Sequence, residues 1–196
     1  MTSRKSDNPS RLIIGCGYLG QRVARRWIQS GSTVFATTRS AANADILSSE
    51  NIHPIIGDVT ATEGSPEFLS DLPEVDTILW EVGFDRNANA SYHDVHVTGL
   101  LHILEQIPNT PRVIFISSTG VWGNETADDV DESSPARPTR EAGRVLLEAE
   151  AVLERHPKGP GIELRLAGIY GPDRLPRMSD VLENKPIPAD PDSLLN

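Results

Sequence analysis

A chain of 196 residues with 38% hydrophobic residues is long enough for one domain with its own core. A formal net charge of −10 argues against nucleic acid or an anionic membrane surface as the main partner. The single cysteine, Cys16, excludes an intramolecular disulfide, and no apolar run reaches the ~20 residues of a membrane helix. The first ten residues, MTSRKSDNPS, are polar and lack an apolar centre. They read as a frayed terminus of a soluble cytoplasmic protein rather than a secretory signal.

In chain order, residues 11–16 predict a first strand and 18–30 a first helix, with Leu19, Val23 and Trp27 four apart and Gly31 as the stop. Residues 32–37 form a second strand, followed by Thr37-Thr38-Arg39-Ser40 and a helix over 41–49. Residues 52–56 suggest a third strand, in which Pro54 argues for an edge or irregular position. A short helix is expected around 65–71. Residues 75–82, VDTILWEV, make an almost continuous apolar run suited to a buried parallel strand. A helix over 88–107 carries Val95, Gly99, Ile103 and Ile107 inward, and Pro108 closes it. Residues 112–117 are the next buried strand, 120–138 an acidic loop rich in Ser and Pro, and 139–155 the strongest helix, with Val145, Leu146, Ala149 and Leu153 on one face. Residues 162–169 give a last strand. From Pro172 onward the chain holds five prolines and no clear period. Alternating strands and helices predict an α/β fold: a Rossmann-type doubly wound parallel sheet over 11–172, with helices on both faces. Residues 1–10 and the Pro-rich tail 173–196 lie outside it.

Between the first strand and helix stand Gly15, Gly17 and Gly20 in G-x-G-x-x-G spacing. In that context the first glycine makes the turn, the second lets the backbone approach a pyrophosphate, and the third lets helix and strand pack closely. The helix N-terminus then faces the phosphates. Cys16, inside the turn, reads as a small packed residue. The end of the second strand meets the adenosine ribose, where an acid selects NAD and an Arg accommodates the 2′-phosphate of NADP. Here Thr37, Thr38 and Arg39 stand, with no acid, which favours NADP; the plainer alternative is that Arg39 is a solvated charge. Asp58 either bonds the adenine amino group or is an ordinary turn residue.

The motifs GCGYLG at 15–20, TTR at 37–39, GD at 57–58, ISSTGVWG at 116–123, REAGRVLLEAE at 140–150 and RLAGIYGP at 165–172 occur together in this order. In them the chain resembles the atypical members of the extended short-chain dehydrogenase/reductases, the NAD-dependent epimerase/dehydratase group. The resemblance spans about residues 11–172. With the glycine loop it implies a cofactor-binding set of Gly15, Gly17, Tyr18, Leu19, Gly20, Thr38, Arg39, Asp58, Val59, Val82, Ser117 and Arg144. It also implies that Ser118 binds a substrate oxygen. Ile14 stands where the family usually has its first glycine. Arg140 and Arg144 fall where the family has its Tyr-x-x-x-Lys pair, and a guanidinium stays protonated below ~pH 12, so it cannot be the general base. Family members also continue into a substrate region that here is truncated or incomplete.

Tyr92, His96 and Gly99 share a helix face. His96 falls where the family often has an Asn facing the active site, so His96 and Tyr92 are candidate proton donors, packed or surface positions being the plainer reading. His53, His93 and His102 form no cluster with a cysteine, so no metal is expected. The acids Glu125, Asp128, Asp129, Asp131 and Glu132 read as a solvated loop. Two functions remain open: an NADP-dependent oxidoreductase or epimerase acting on a small carbonyl or sugar-nucleotide substrate, and a non-catalytic NADP-binding sensor or regulatory module. By resemblance, a homodimer would use the helices at about 88–107 and 139–155.

Overall fold

The computed structural model describes residues 8–61, 72–123, 129–175 and 177–186. Six parallel strands form one sheet: β1 (Ser10–Ile14), β2 (Thr33–Thr38), β3 (His53–Ile56), β4 (Thr77–Trp80), β5 (Arg112–Ser118) and β6 (Ile162–Leu166). Their order is β3-β2-β1-β4-β5-β6. The chain therefore winds outward from β1 to one edge, returns to β4, and winds to the other edge. This is the doubly wound arrangement, and its switch point lies between β1 and β4. The expected helix around 65–71 lies outside the described residues.

Side-chain alternation along the strands divides the core. Ile13, Val34, Ala36 and Leu79 join Ala24 of α1 (Tyr18–Gln29) and Leu47 of α2 (Ala41–Ser49) on one face. Leu12, Ile14, Ile78, Trp80, Val113 and Phe115 face the opposite side. There they meet Leu100, Ile103 and Leu104 of α3 (Gly99–Gln106) and Val145, Leu146, Ala149 and Leu153 of α4 (Glu141–Arg155). β4 is buried throughout, as its unbroken apolar run requires. β3, with Pro54, lies at the sheet edge, where a missing N–H costs no ladder bond.

Several boundaries differ from the sequence reading, each for a local reason. The helical run that leads through Asp94–Thr98 into α3 begins at residue 92, not 88. Ser91 caps it: the Ser91 Oγ accepts the Asp94 N–H (3.0 Å) and the Asp94 carboxylate accepts the Ser91 N–H (2.9 Å). Its first part, Asp94–Thr98, is a π turn. α4 begins at Glu141, because Arg140 is extended (φ −99°, ψ 150°). β6 ends at Leu166, which is level with Ser118, the last residue of β5; beyond it the edge strand has no partner. Within the tail read as irregular, Met178–Leu182 forms a short helix, α5, with Val181 and Leu182 exposed.

Leu153 is fully buried beneath the turn that joins α4 to β6, where Gly161 leaves no room for a side chain. Leu153→Ala is expected to cost roughly 3 kcal/mol, the usual range for a leucine removed from a packed core. Urea unfolding monitored by circular dichroism checks it.

Candidate functional site

The glycine turn is held from both sides of the switch point. Gly15 has φ +83°, and a Cβ there would lie 2.6 Å from the Val82 Cα at the end of β4. Only glycine meets both demands. On the other side the Gly15 N–H donates to the Thr37 Oγ1 of β2 (2.9 Å). The turn delivers the chain into α1, whose N-cap is Gly17 and offers no side chain to the first-turn amides.

A cavity of about 360 Å³ opens at this place, at the carboxyl ends of the central strands. Its walls include Gly15, Gly17, Thr38, Arg39, Asp58, Val59 and Val82, seven of the residues singled out from sequence, together with Ser40, Asn43, Phe84, Asp85 and Val95. Cys16 also lines it, with a thiol pushed up to about 12, by burial first and then by the Glu81 and Glu50 carboxylates. That thiol is a packing group and a poor nucleophile.

At the β2 end of the cavity the Arg39 guanidinium is half exposed. It lies 3.2 Å from the Asp85 carboxylate and 4.0 Å from that of Asp58. Beside it Ser40 caps α2 by accepting the Asn43 N–H (3.2 Å). The Asp58 Oδ1 accepts from the Thr60 N–H (2.9 Å) and hydroxyl (2.7 Å). Asp58 is thus a turn-forming residue that also borders the cavity.

Tyr18, Leu19 and Gly20 lie in the first turn of α1, beside the cavity. The Tyr18 hydroxyl donates to the Pro172 carbonyl (2.9 Å), to which Arg22 also donates (3.3 Å). This brings the segment after β6 over the start of α1. Glu81, not singled out from sequence, sits beneath the same turn. Its Oε2 accepts from the Gly17 N–H (3.2 Å) and the Gly20 N–H (3.0 Å). Burial pushes the Glu81 carboxyl above its ordinary range, and the amides of Gly17, Gly20 and Leu19 and the charge of Arg174 oppose that shift. The one sequence signal for it was an acid directly after the apolar run of β4, at the end of a strand beside the glycine loop. Nothing local in the sequence reveals that the Thr37 hydroxyl reaches Gly15.

The remaining candidates are spread around the sheet. Ser117 is buried with no partner for its Oγ among the described residues, and Ser118 accepts the Gly120 N–H (3.2 Å). Tyr92 and His96 do meet, with ring centroids 4.3 Å apart, and Phe84 packs on Tyr92 at 5.1 Å. His96 is buried and burial lowers it to about 4, so it is neutral near pH 7. Burial raises the Tyr92 phenol. Arg144 is exposed and donates to the Thr139 carbonyl (3.1 Å), away from the cavity. The acids Glu125 and Asp128 lie outside the described residues. Among the described residues no group of three His, Cys, Asp or Glu is placed to hold a metal, and no helix is long and apolar enough to cross a membrane.

His96 sets a pH dependence with a definite sign. Its folded value, about 4, lies below the ordinary 6.5, so the unfolded chain binds the extra proton first. The contribution is complete above pH ~6.5 and is lost as pH falls toward about 4. Replacing His96 with Phe is expected to flatten the acid limb of the stability profile in that window, read by urea unfolding at a series of pH values.

A family model described as the NAD-dependent epimerase/dehydratase family matches residues 12–185. Protein YeeZ of Escherichia coli (strain K12) is 28% identical over 176 residues, covering 84% of this chain and 60% of the relative. The chain thus spans about three fifths of the length of that curated relative. A solved structure from Methylobacillus flagellatus, assigned as an NAD-dependent epimerase/dehydratase, is 32% identical, with a TM-score of 0.69 over 91% of this chain and 62% of the other. The Helicobacter pylori ADP-L-glycero-D-manno-heptose-6-epimerase shares the fold, with 21% identity, a TM-score of 0.69, and coverage of 86% of this chain and 58% of the other. With the doubly wound sheet and the glycine turn at its switch point, the match over residues 12–185 makes this chain a member of the NAD-dependent epimerase/dehydratase family.

Proposed function

We propose that the chain is an NADP-binding, oxidoreductase- or epimerase-like domain of the atypical extended short-chain dehydrogenase/reductase type. The observation that carries this reading is the cavity at the β1–β4 switch point, walled by the glycine turn and the ends of β2 and β3. Adenine fits between Asp58-Val59 and Val82–Phe84. The 2′-phosphate meets Arg39 and Ser40 at the start of α2, and it replaces Asp85 as the partner of the guanidinium. The pyrophosphate lies over Gly17, Tyr18 and Leu19. The nicotinamide extends toward the ends of β4 and β5, where Ser117 and Ser118 stand.

For chemistry, the reading is a small carbonyl or sugar-nucleotide substrate held by Ser118. A second reading, a sensor or regulatory module that holds NADP without turnover, is favoured by one set of observations. By the family resemblance, Arg140 and Arg144 fall where a tyrosine and lysine would serve. Neither His96, neutral near pH 7, nor Tyr92, with its phenol raised, is tuned to exchange a proton there. Stereospecific label exchange at the nicotinamide separates the two: turnover requires it, and the sensor binds without it.

Calorimetric titration tests the cofactor. NADPH is expected to bind at least about tenfold more tightly than NADH, and Arg39→Ala is expected to abolish the difference. Equal binding of the two by the unaltered chain rejects the role given to Arg39. The exposed faces of α3 and α4, joined by His93 and Glu148 (3.3 Å), are the proposed dimer surface. Gel filtration at micromolar concentration is expected to show a dimer, and a monomer rejects it.

A further inference from the structure

The amides that begin α1 already donate to a carboxyl group supplied by the protein. Glu81 leaves the carboxyl end of β4 on the same face as Leu79, toward α1. Its Oε2 lies 3.2 Å from the Gly17 nitrogen and 3.0 Å from that of Gly20, and the Leu19 amide also points to it. Gly17 has no capping side chain, so Glu81 caps the helix from another strand. The fit is close: a Cβ at Gly20 would lie 2.7 Å from Oε2, while a Cβ at Gly17 would lie 3.6 Å from Oε1.

We propose that Glu81 is an internal occupant of the pyrophosphate-binding amides and sets dinucleotide affinity by competing for them. This rests on the dinucleotide reading above. One set of amides at a helix N-terminus cannot satisfy a carboxylate and a diphosphate together, and the two negative groups repel at contact distance. The carboxylate must therefore give up at least part of its amide bonds when a phosphate arrives. Arg174 supplies a destination. Its charge already acts on Glu81, and its guanidinium lies 5.2 Å from the Tyr18 ring in the segment that folds over α1. Because the competition concerns phosphate, it weakens ADP and both dinucleotides alike and leaves adenosine untouched.

The test is titration of the chain and its Glu81→Gln and Glu81→Ala variants with adenosine, ADP, NADH and NADPH, with thermal melts to confirm folding. Both variants are expected to bind ADP and the dinucleotides about tenfold or more tightly than the parent, with adenosine unchanged. Should the variants fail to fold, the parent chain still decides. ADP, but not adenosine, is expected to shift the Gly17 and Gly20 amide resonances. If ADP binds the parent and the variants equally, or binds the parent without moving those resonances, the role of Glu81 is overturned while the dinucleotide reading stands. If neither parent nor variants bind any of the four ligands, the dinucleotide reading fails and the role of Glu81 falls with it.

Discussion

The start of α1 must find acceptors for amides that its own sequence cannot cap. Gly17 stands at the N-cap and has no side chain to offer, and so the helix opens with bare donors. In this chain a carboxylate from β4, more than sixty residues away in sequence, accepts from them. The same contact draws β4 and α1 together at the switch point. Gly15 packs against the Val82 backbone there, with a positive φ as well. The glycine turn, the end of β4 and the helix start thus form one mechanical unit on which the rest of the cavity is built.

Charge is distributed unevenly around that unit. The chain carries a net charge of −10, yet the cavity at the switch point is bordered by positive elements. The positive elements are local: the N-termini of α1 and α2, Arg39 and Arg174. Each is already engaged, Arg39 by Asp85 and the α1 amides by Glu81. The electrostatics of the cavity are therefore set by these internal pairs as much as by the glycine motif.

On the face opposite α1, close packing sets the state of two titratable rings. Residues 92–98 bring Tyr92 and His96 into contact through a π turn, and Gly99 allows α3 to approach the Val59 carbonyl, 3.0 Å from where a Cβ would stand. Packing this tight strips water from both rings. Desolvation lowers His96 to about 4 and raises the Tyr92 phenol above its ordinary value. At the end of β5, Ser117 is buried with no partner for its Oγ among the described residues, and Ser118 accepts the Gly120 N–H.

Much of this architecture is readable in one dimension, because strands and helices bury their residues with fixed periods. The alternation of Leu12, Ile13 and Ile14, the unbroken apolar run of β4, the spacing in α4, the Ser40 start of α2 and the edge position implied by Pro54 all express local rules. The three glycines between strand and helix likewise point to a phosphate-facing turn before any coordinates exist. What only the tertiary structure decides are contacts between residues far apart in the chain. That Glu81 reaches the amides of Gly17 and Gly20, that the Thr37 hydroxyl holds Gly15 and that Arg39 is paired with Asp85 have no periodic signature. They follow from where the doubly wound topology sets the ends of β1, β2 and β4 side by side. The boundary of β6 was hidden for the same reason, since an edge strand stops where its neighbour stops.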